Sequence, residues 1–306
     1  MEPPIPYDPL DDALGGLLPR GAFLFRSELG APWGFTAPAG PASFHIVESG
    51  RCALAVGGET VTLGPGDLAV LAHGSEARFG DGPGRPAPPL ADVLERHPPG
   101  PSGVLRNDAD GPRTALVCGR VAFDDAVPHP VLDALPPVLV LRADAADAPW
   151  LAPTLQFLSC ESRSGRPGAA TVMGHLGSVV FLQAVRAALA TCPARAGWLG
   201  ALGDVHLGPA LRAIHRAPEA PWTVEALGRE AGLGRSAFAA RFREAVGESP
   251  MRHVTRWRVY RAARLLRADA TLAEAAEGVG YESEAAFSRA FKRWTGRSPG
   301  AVRRAA

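Results

Sequence analysis

One segment of this chain is repeated, and the repeat dictates much of the architecture around it. Ala237-Phe-Ala-Ala-Arg-Phe-Arg-Glu-Ala-Val-Gly-Glu-Ser-Pro250 returns 49 positions later as Ala286-Phe-Ser-Arg-Ala-Phe-Lys-Arg-Trp-Thr-Gly-Arg-Ser-Pro299, with six of the 14 positions identical. In each copy two phenylalanines stand at i and i+4, Phe238 with Phe242 and Phe287 with Phe291. They share one helix face and are expected in a core. Gly247 and Gly296 fall where a helix C-cap belongs, and the Ser-Pro after each starts a new element.

A shorter helix is predicted ahead of each copy. Thr223 is the N-cap of a stretch through Ala231, which ends in the turn Gly232-Leu233-Gly234. Thr271 begins a second stretch through Val279, followed by Gly280-Tyr281-Glu282-Ser283. Helix, glycine-containing turn and second helix make the helix-turn-helix unit, whose second member enters the DNA major groove. One match would be weak; two in tandem are a strong signal. Met251 to Arg267 reads as a single connecting helix. Val254, Trp257, Ala262, Leu265 and Leu266 supply its apolar face, and Arg252, Arg256, Arg258, Arg261, Arg264 and Arg267 crowd the rest. It spans roughly 25 Å. With the units' own width added, that approaches the rise of one DNA turn, about 34 Å.

Charge separates along the chain in the same sense. Net charge is +1, but Leu199 to Ala306 holds 18 Arg and Lys against 11 Asp and Glu, leaving 14 basic and 20 acidic residues elsewhere. An anionic polymer is therefore expected to meet the C-terminal part alone. The 306 residues allow two domains, and a hydrophobic fraction of 46% excludes global disorder. The acidic, proline-rich opening from Met1 to Pro6 is unlike a signal peptide. No apolar run approaches the roughly 18 residues of a membrane span. A soluble, cytoplasmic protein is expected.

The front half predicts β structure. Ser43 to Val47, Cys52 to Val56, Glu59 to Leu63 and Asp67 to Leu71 read as strands, with a hairpin at Val56-Gly57-Gly58-Glu59. Strands so closely spaced suggest a sandwich or small barrel. Gly80 to Gly111 is expected to be a loose surface loop. From Pro149 the pattern turns helical, with a polar break from Ser159 to Gly168 and a helix from Val172 to Thr191, serving as internal brace or dimer contact. Cys52, Cys118, Cys160 and Cys192 are scattered without zinc-site spacing and are expected as small buried thiols.

Residues 210 to 304 resemble the DNA-binding domain of AraC/XylS-type transcriptional regulators. The resemblance is carried by Gly280-Tyr281, Ser283, Phe287-Ser288-Arg289, Phe291-Lys292, Gly296 and Ser298-Pro299. It implies a partner in double-stranded promoter DNA, contact with RNA polymerase, and a homodimer. On the first recognition helix, Arg235, Ser236, Ala239, Ala240 and Arg243 are expected to face DNA. Two alanines offer only methyl contact with thymine, so Arg235 and Arg243 would hold phosphates, with Ser236 at a base edge. On the second helix the set is Glu284, Ala285, Ser288, Arg289 and Lys292. Arg289 is the candidate for a guanine O6/N7 contact, and Glu284 either accepts from cytosine or complements the helix N-terminus.

The front strands resemble the cupin-type module of many such regulators, through Phe44-His45-Ile-Val-Glu48-Ser-Gly50 and Gly64-Pro65-Gly66-Asp67-Leu-Ala-Val-Leu71. Metal-binding cupins use a His-x-His pair, a Glu and a later His. Here the pair is Ser43 and His45, Glu48 is present, and Ala77 occupies the later position with His73 nearby. His45, Glu48 and His73 are thus the candidate effector or metal pocket, with a ligand-binding or dimerising barrel preferred over a metal and no cofactor expected. Cys52 and Cys118 are the candidate redox pair.

The expected fold is α+β: a cupin-like sensory barrel or sandwich over 1–145, a helical linker over 146–198, and an all-α double helix-turn-helix over 199–306. The expected function is a DNA-binding regulator controlled by a small-molecule effector, not an enzyme. The alternatives are a cupin-type metal-dependent enzyme tethered to DNA and a cysteine-based redox-sensing regulator.

Overall fold

The structure, a computed structural model, describes residues 22–100, 103–121, 129–144, 148–164, 166–191 and 197–304. Its contacts form two units. The first carries the described residues up to 121 and from 135 to 188; the second carries 129–134, 189–191 and 197–304.

The first unit packs a sheet on a sheet. Strands β1 (Ala22–Gly30), β3 (Ala42–Ser49), β6 (Leu68–Leu71), β8 (Val104–Arg106), β9 (Arg113–Val121) and β10 (Leu139–Leu141) form one sheet in the order β10-β6-β3-β9-β1-β8. The other runs β2-β7-β4-β5, from β2 (Gly34–Ala37), β7 (Ala77–Gly80), β4 (Cys52–Val56) and β5 (Glu59–Leu63). Val56 pairs with Glu59 across the Gly57-Gly58 turn, where both glycines have positive φ, as that hairpin requires. Phe35, Leu54, Leu63 and Phe79 from the small sheet meet Val47, Leu116 and Cys118 from the large one in a single apolar core. In the β3–β9 ladder His45 lies opposite Cys118, and Ser43 opposite Arg120. Side chains two apart on a strand share a face, so these four project to the same side. Between Cys118 and Arg120, Gly119 lets the Phe44 ring close over the backbone; a Cβ there would lie 2.3 Å from the ring.

The strands expected from sequence are present, whereas the loop expected from Gly80 to Gly111 is not structureless. It contains helix α1 (Leu90–Arg96) and β8, which pairs parallel to β1. Val93 and Leu105 enter the core, and a loop that buries apolar side chains acquires regular structure to satisfy its backbone. Two helices follow in this unit, α3 (Leu151–Ser164) and α4 (Ala169–Thr191). The first of them runs into the stretch expected as a polar break.

The second unit is helical. A short helix, α2 (Pro130–Asp133), joins α5 (Trp198–Ala201), α6 (Leu207–Arg216), α7 (Val224–Glu230), α8 (Arg235–Val246), α9 (Pro250–Arg267), α10 (Leu272–Glu277), α11 (Glu284–Thr295) and α12 (Pro299–Arg303). Thr223 caps α7 by accepting from the Ala226 N–H, and Thr271 forms a capping box with Glu274 at the start of α10. Gly247 and Gly296 end the two repeat helices in the left-handed conformation, at φ 83° and 71°. Phe238, Phe242, Phe287 and Phe291 are wholly buried. The last two join Val259, Leu266, Val279 and Val302 in a second core, so the repeat pairs each anchor one unit.

Candidate nucleic-acid interface and effector cavity

The repeat helices α8 and α11 present the side chains expected at DNA. Arg235, Ser236, Ala240 and Arg243 are exposed on α8, with Ala239 partly buried. Glu284, Ala285, Arg289 and Lys292 are exposed on α11, with Ser288 partly buried. Arg235 is 3.1 Å from Glu225 on α7, so its charge is partly spent within the unit. Ser283 caps α11 by accepting from the Ala286 N–H, which leaves Glu284 in the first turn beside the positive end of the helix. Arg243, Arg289 and Lys292 carry no ion pair among the described residues and are available to an outside anion.

The connecting helix does more than set a distance. Arg258, read from sequence only as part of a basic face, turns inward. Its guanidinium donates to the carbonyls of Pro218 at 2.6 Å and Ala220 at 2.8 Å, ahead of the first helix-turn-helix. It also stands 5.8 Å over the Tyr281 ring, in the turn of the second. Burial pulls its pKa below the ordinary value. Beside it, Gly280 adopts φ 76° and lies so close to Glu219 that a Cβ would come within 2.2 Å of the Glu219 carbonyl oxygen. The two reading units are thus locked together through residues 218–220, as well as through α9. No side-chain spacing announces this; the glycine in the second turn was the available signal.

Around α9 the core of the helical unit is aromatic and imidazole-rich. Trp198, His215, His253 and Trp257 stack on one another, with His215 Nε2 3.1 Å from His253 Nε2 and His253 Nδ1 3.0 Å from Glu248. Burial holds the His215 ring well below its ordinary pKa, reinforced by His253 and Arg256. Helix α2 docks on the same core: the Trp198 indole N–H donates to the Pro130 carbonyl at 3.1 Å, and His129 Nε2 lies 2.7 Å from the Tyr260 hydroxyl on α9. Along the chain, α2 sits between β9 and β10.

The sheet unit encloses a cavity of about 590 Å³, within the range of small-molecule sites. Phe25, Phe35, Leu71, Leu90 and Leu94 make its wall apolar, and Ser43, His45, Cys118 and Arg120 face it from β3 and β9. Of the three residues expected as an effector or metal pocket, only His45 lines this cavity. Glu48 is bound to Arg26 at 2.7 Å, and His73 is exposed after β6. The three do not assemble, because Glu48 lies at the strand end next to Arg26; among the described residues no His, Cys, Asp or Glu group has metal-site geometry.

Cys52 and Cys118 are both buried. Burial pushes the Cys52 thiol up to about 12 and Cys118 higher still. A thiolate, the form that reacts with oxidants, is therefore strongly disfavoured at both. The expectation of buried thiols fails at Cys160, which is exposed; Cys192 lies outside the described residues.

Comparison with known proteins agrees with both halves. Residues 8–190 match a cupin family and residues 227–305 a helix-turn-helix domain. A putative AraC-like transcription regulator of Streptomyces lividans is 35% identical over 304 residues, covering 97% of this chain and 98% of that protein. The RCS-specific transcriptional activator RclR of Escherichia coli is 29% identical over 303 residues, 95% of this chain and 97% of that protein. Among solved structures, the DNA-binding domain of AdpA in complex with a target DNA is 33% identical, spans 33% of this chain and 91% of that chain, and gives a TM-score of 0.31.

Proposed function

This chain belongs to the AraC-like transcription regulators, and we propose that a small molecule bound in the 590 Å³ cavity controls its reading of promoter DNA. Sequence-specific DNA binding is the family's activity, and the two helix-turn-helix units supply it. The cavity is the observation that carries the effector: an apolar chamber with a few polar groups, in a unit whose expected metal ligands lie apart. The division of labour follows the sequence boundaries, with sensing over 1–145, a linker over 146–198 and reading over 199–306. A ligand shifts the balance between states of the chain by binding one of them better.

Base reading falls to Arg289 and Ser236, and phosphate positioning to Arg235, Arg243 and Lys292. The active form is a homodimer acting with RNA polymerase in the cytoplasm, and it catalyses no reaction. Exposed Val172 and Val179 on α4, one heptad apart, and exposed Phe157 on α3 support a dimer face. Light scattering at micromolar protein is expected to give twice the chain mass.

The effector reading is tested by filling the cavity. Ala37, on its wall, is replaced by Trp, and expression from a bound promoter is compared across growth conditions. The variant is expected to melt as a folded protein, bind DNA and give one fixed level of expression. A response identical to that of the parent would remove the cavity from control.

A further inference from the structure

We propose that the cavity takes an apolar molecule bearing a single anionic group, a carboxylate above all, held by Arg120 and His45. This rests on reading the cavity as the effector site and gives that effector a chemical class.

Arg120 provides the charge. It stands on the inward register of β9, opposite Ser43, lines the cavity and remains solvent-exposed, which places it at the rim. Four arginines of this unit meet carboxylates: Arg26 meets Glu48, Arg85 meets Asp81, Arg106 meets Glu28 and Arg142 meets Asp67. Arg120, like Arg51, Arg78, Arg96 and Arg113, has no such partner among the described residues, and of these only Arg120 lines the cavity. A guanidinium left free at the edge of an apolar chamber matches the planar, bidentate geometry of a carboxylate.

His45 provides the second contact. The residue is 7% exposed, its Nε2 lies 3.0 Å from the Ser43 hydroxyl, and its Nδ1 is buried without a hydrogen-bond partner. Burial and the nearby Arg120 push its pKa down to about 3, so the ring is neutral. In the tautomer in which the Ser43 hydroxyl donates to Nε2, Nδ1 carries the proton and lacks an acceptor. A buried donor without a partner is costly, and the other hydroxyl on the wall, Ser75, does not bond to it. Nδ1 itself is covered, so a ligand oxygen reaches it as the His45 ring turns toward the cavity it lines. His45 pairs with Cys118, two residues before Arg120 on β9, so the two groups are about 7 Å apart along the ladder and fit one small anionic group between them.

The same inventory excludes other classes. A cation would meet Arg120 with no carboxylate on the wall to compensate it. A sugar would bury hydroxyls against phenylalanine and leucine, and a nucleotide or sugar phosphate would bring more charge than one arginine neutralises.

The test is calorimetric titration of the full-length protein with straight-chain carboxylates from hexanoate to tetradecanoate and with the matching alcohols. Arg120→Gln is the test variant and Arg51→Gln, on an exposed turn away from the cavity, the control. At least one carboxylate is expected to saturate the site, with its alcohol bound about tenfold more weakly. Arg120→Gln is expected to remove that difference while leaving alcohol affinity and melting temperature in place, and Arg51→Gln to change neither. Equal affinity for acid and alcohol, an unaltered preference in Arg120→Gln, or no saturation by any member of the series would overturn the assignment. The Ala37→Trp promoter response separates the two claims: if it still loses regulation, the effector site stands and only its anionic ligand falls.

Discussion

The His129 ring nitrogen Nε2 sits 2.7 Å from the Tyr260 hydroxyl, and both residues are buried. Tyr260 belongs to the helix joining the two reading units, and His129 to the segment between strands β9 and β10. That segment therefore packs in the helical unit although the strands on either side of it belong to the sheet unit. Removing the hydroxyl in Tyr260→Phe is expected to cost about 1 kcal/mol of stability, read by urea denaturation. An unchanged midpoint would mean that the contact contributes nothing in solution.

Two glycines with similar backbone conformations should respond differently to alanine. Gly280, at φ 76°, has no room for a Cβ beside Glu219, whereas Gly296, at φ 71°, has nothing within 4 Å. Gly296→Ala is expected to cost about 1–2 kcal/mol for the left-handed backbone alone. Gly280→Ala adds overpacking against the backbone, for about 3 kcal/mol or more, and weakens DNA binding by separating the two units. Equal losses for the pair, measured by denaturation and DNA titration, would remove the steric lock between residues 219 and 280.

The two recognition helices should fail in different ways. Arg289→Ala is expected to cost about 1–3 kcal/mol at the preferred site and to relax base preference at one position. Arg243→Ala should weaken all sequences alike and lower the salt slope by about one. Titrations on the preferred and scrambled sites at several salt concentrations check both. Uniform weakening by Arg289→Ala would reassign that side chain to a phosphate.

Acid should loosen the fold through its buried imidazoles. His45, His215 and His253 are all held below their ordinary value of 6.5, chiefly by burial. The unfolded chain therefore binds more protons than the folded one below about pH 6.5. Stability is full above that pH and falls as pH drops, for His45 down to about 3, at no more than about 1.4 kcal/mol per pH unit for each ring. Denaturation midpoints measured between neutral and mildly acidic pH should decline; a flat profile would mean that the rings are solvated.

Peroxide and hypochlorite should leave DNA binding intact where Cys52 and Cys118 are concerned, because burial keeps both thiols protonated. Titration of the Cys52→Ser and Cys118→Ser variants beside the parent checks this. An oxidant response abolished by either substitution would restore the redox reading.

What was legible in the sequence follows physical locality. The helix-turn-helix units were visible because i, i+4 phenylalanines, threonine caps and left-handed glycines are each decided within a few residues. The strands from Ser43 to Leu71 were visible for the same reason, by alternation and the Gly57-Gly58 turn. Residues 80–111 were misread because glycine and proline there outweigh Val93 and Leu105, whose burial depends on distant strands. The cavity was half seen: His45 lines it, but Arg120 was missed, since its place opposite Ser43 comes from pairing strands far apart in sequence. Arg258 was missed likewise, as its partners lie some 40 positions upstream.

Two linked helix-turn-helix units should read two successive stretches of one DNA face. Selection of bound genomic fragments by purified full-length protein, followed by salt titration of the best site, measures this. The expected result is one motif with two elements about a turn apart, bound with an affinity that falls steeply as salt rises. Recovery of only sequence-blind fragments, by the full chain and by residues 199–306 alike, would contradict it.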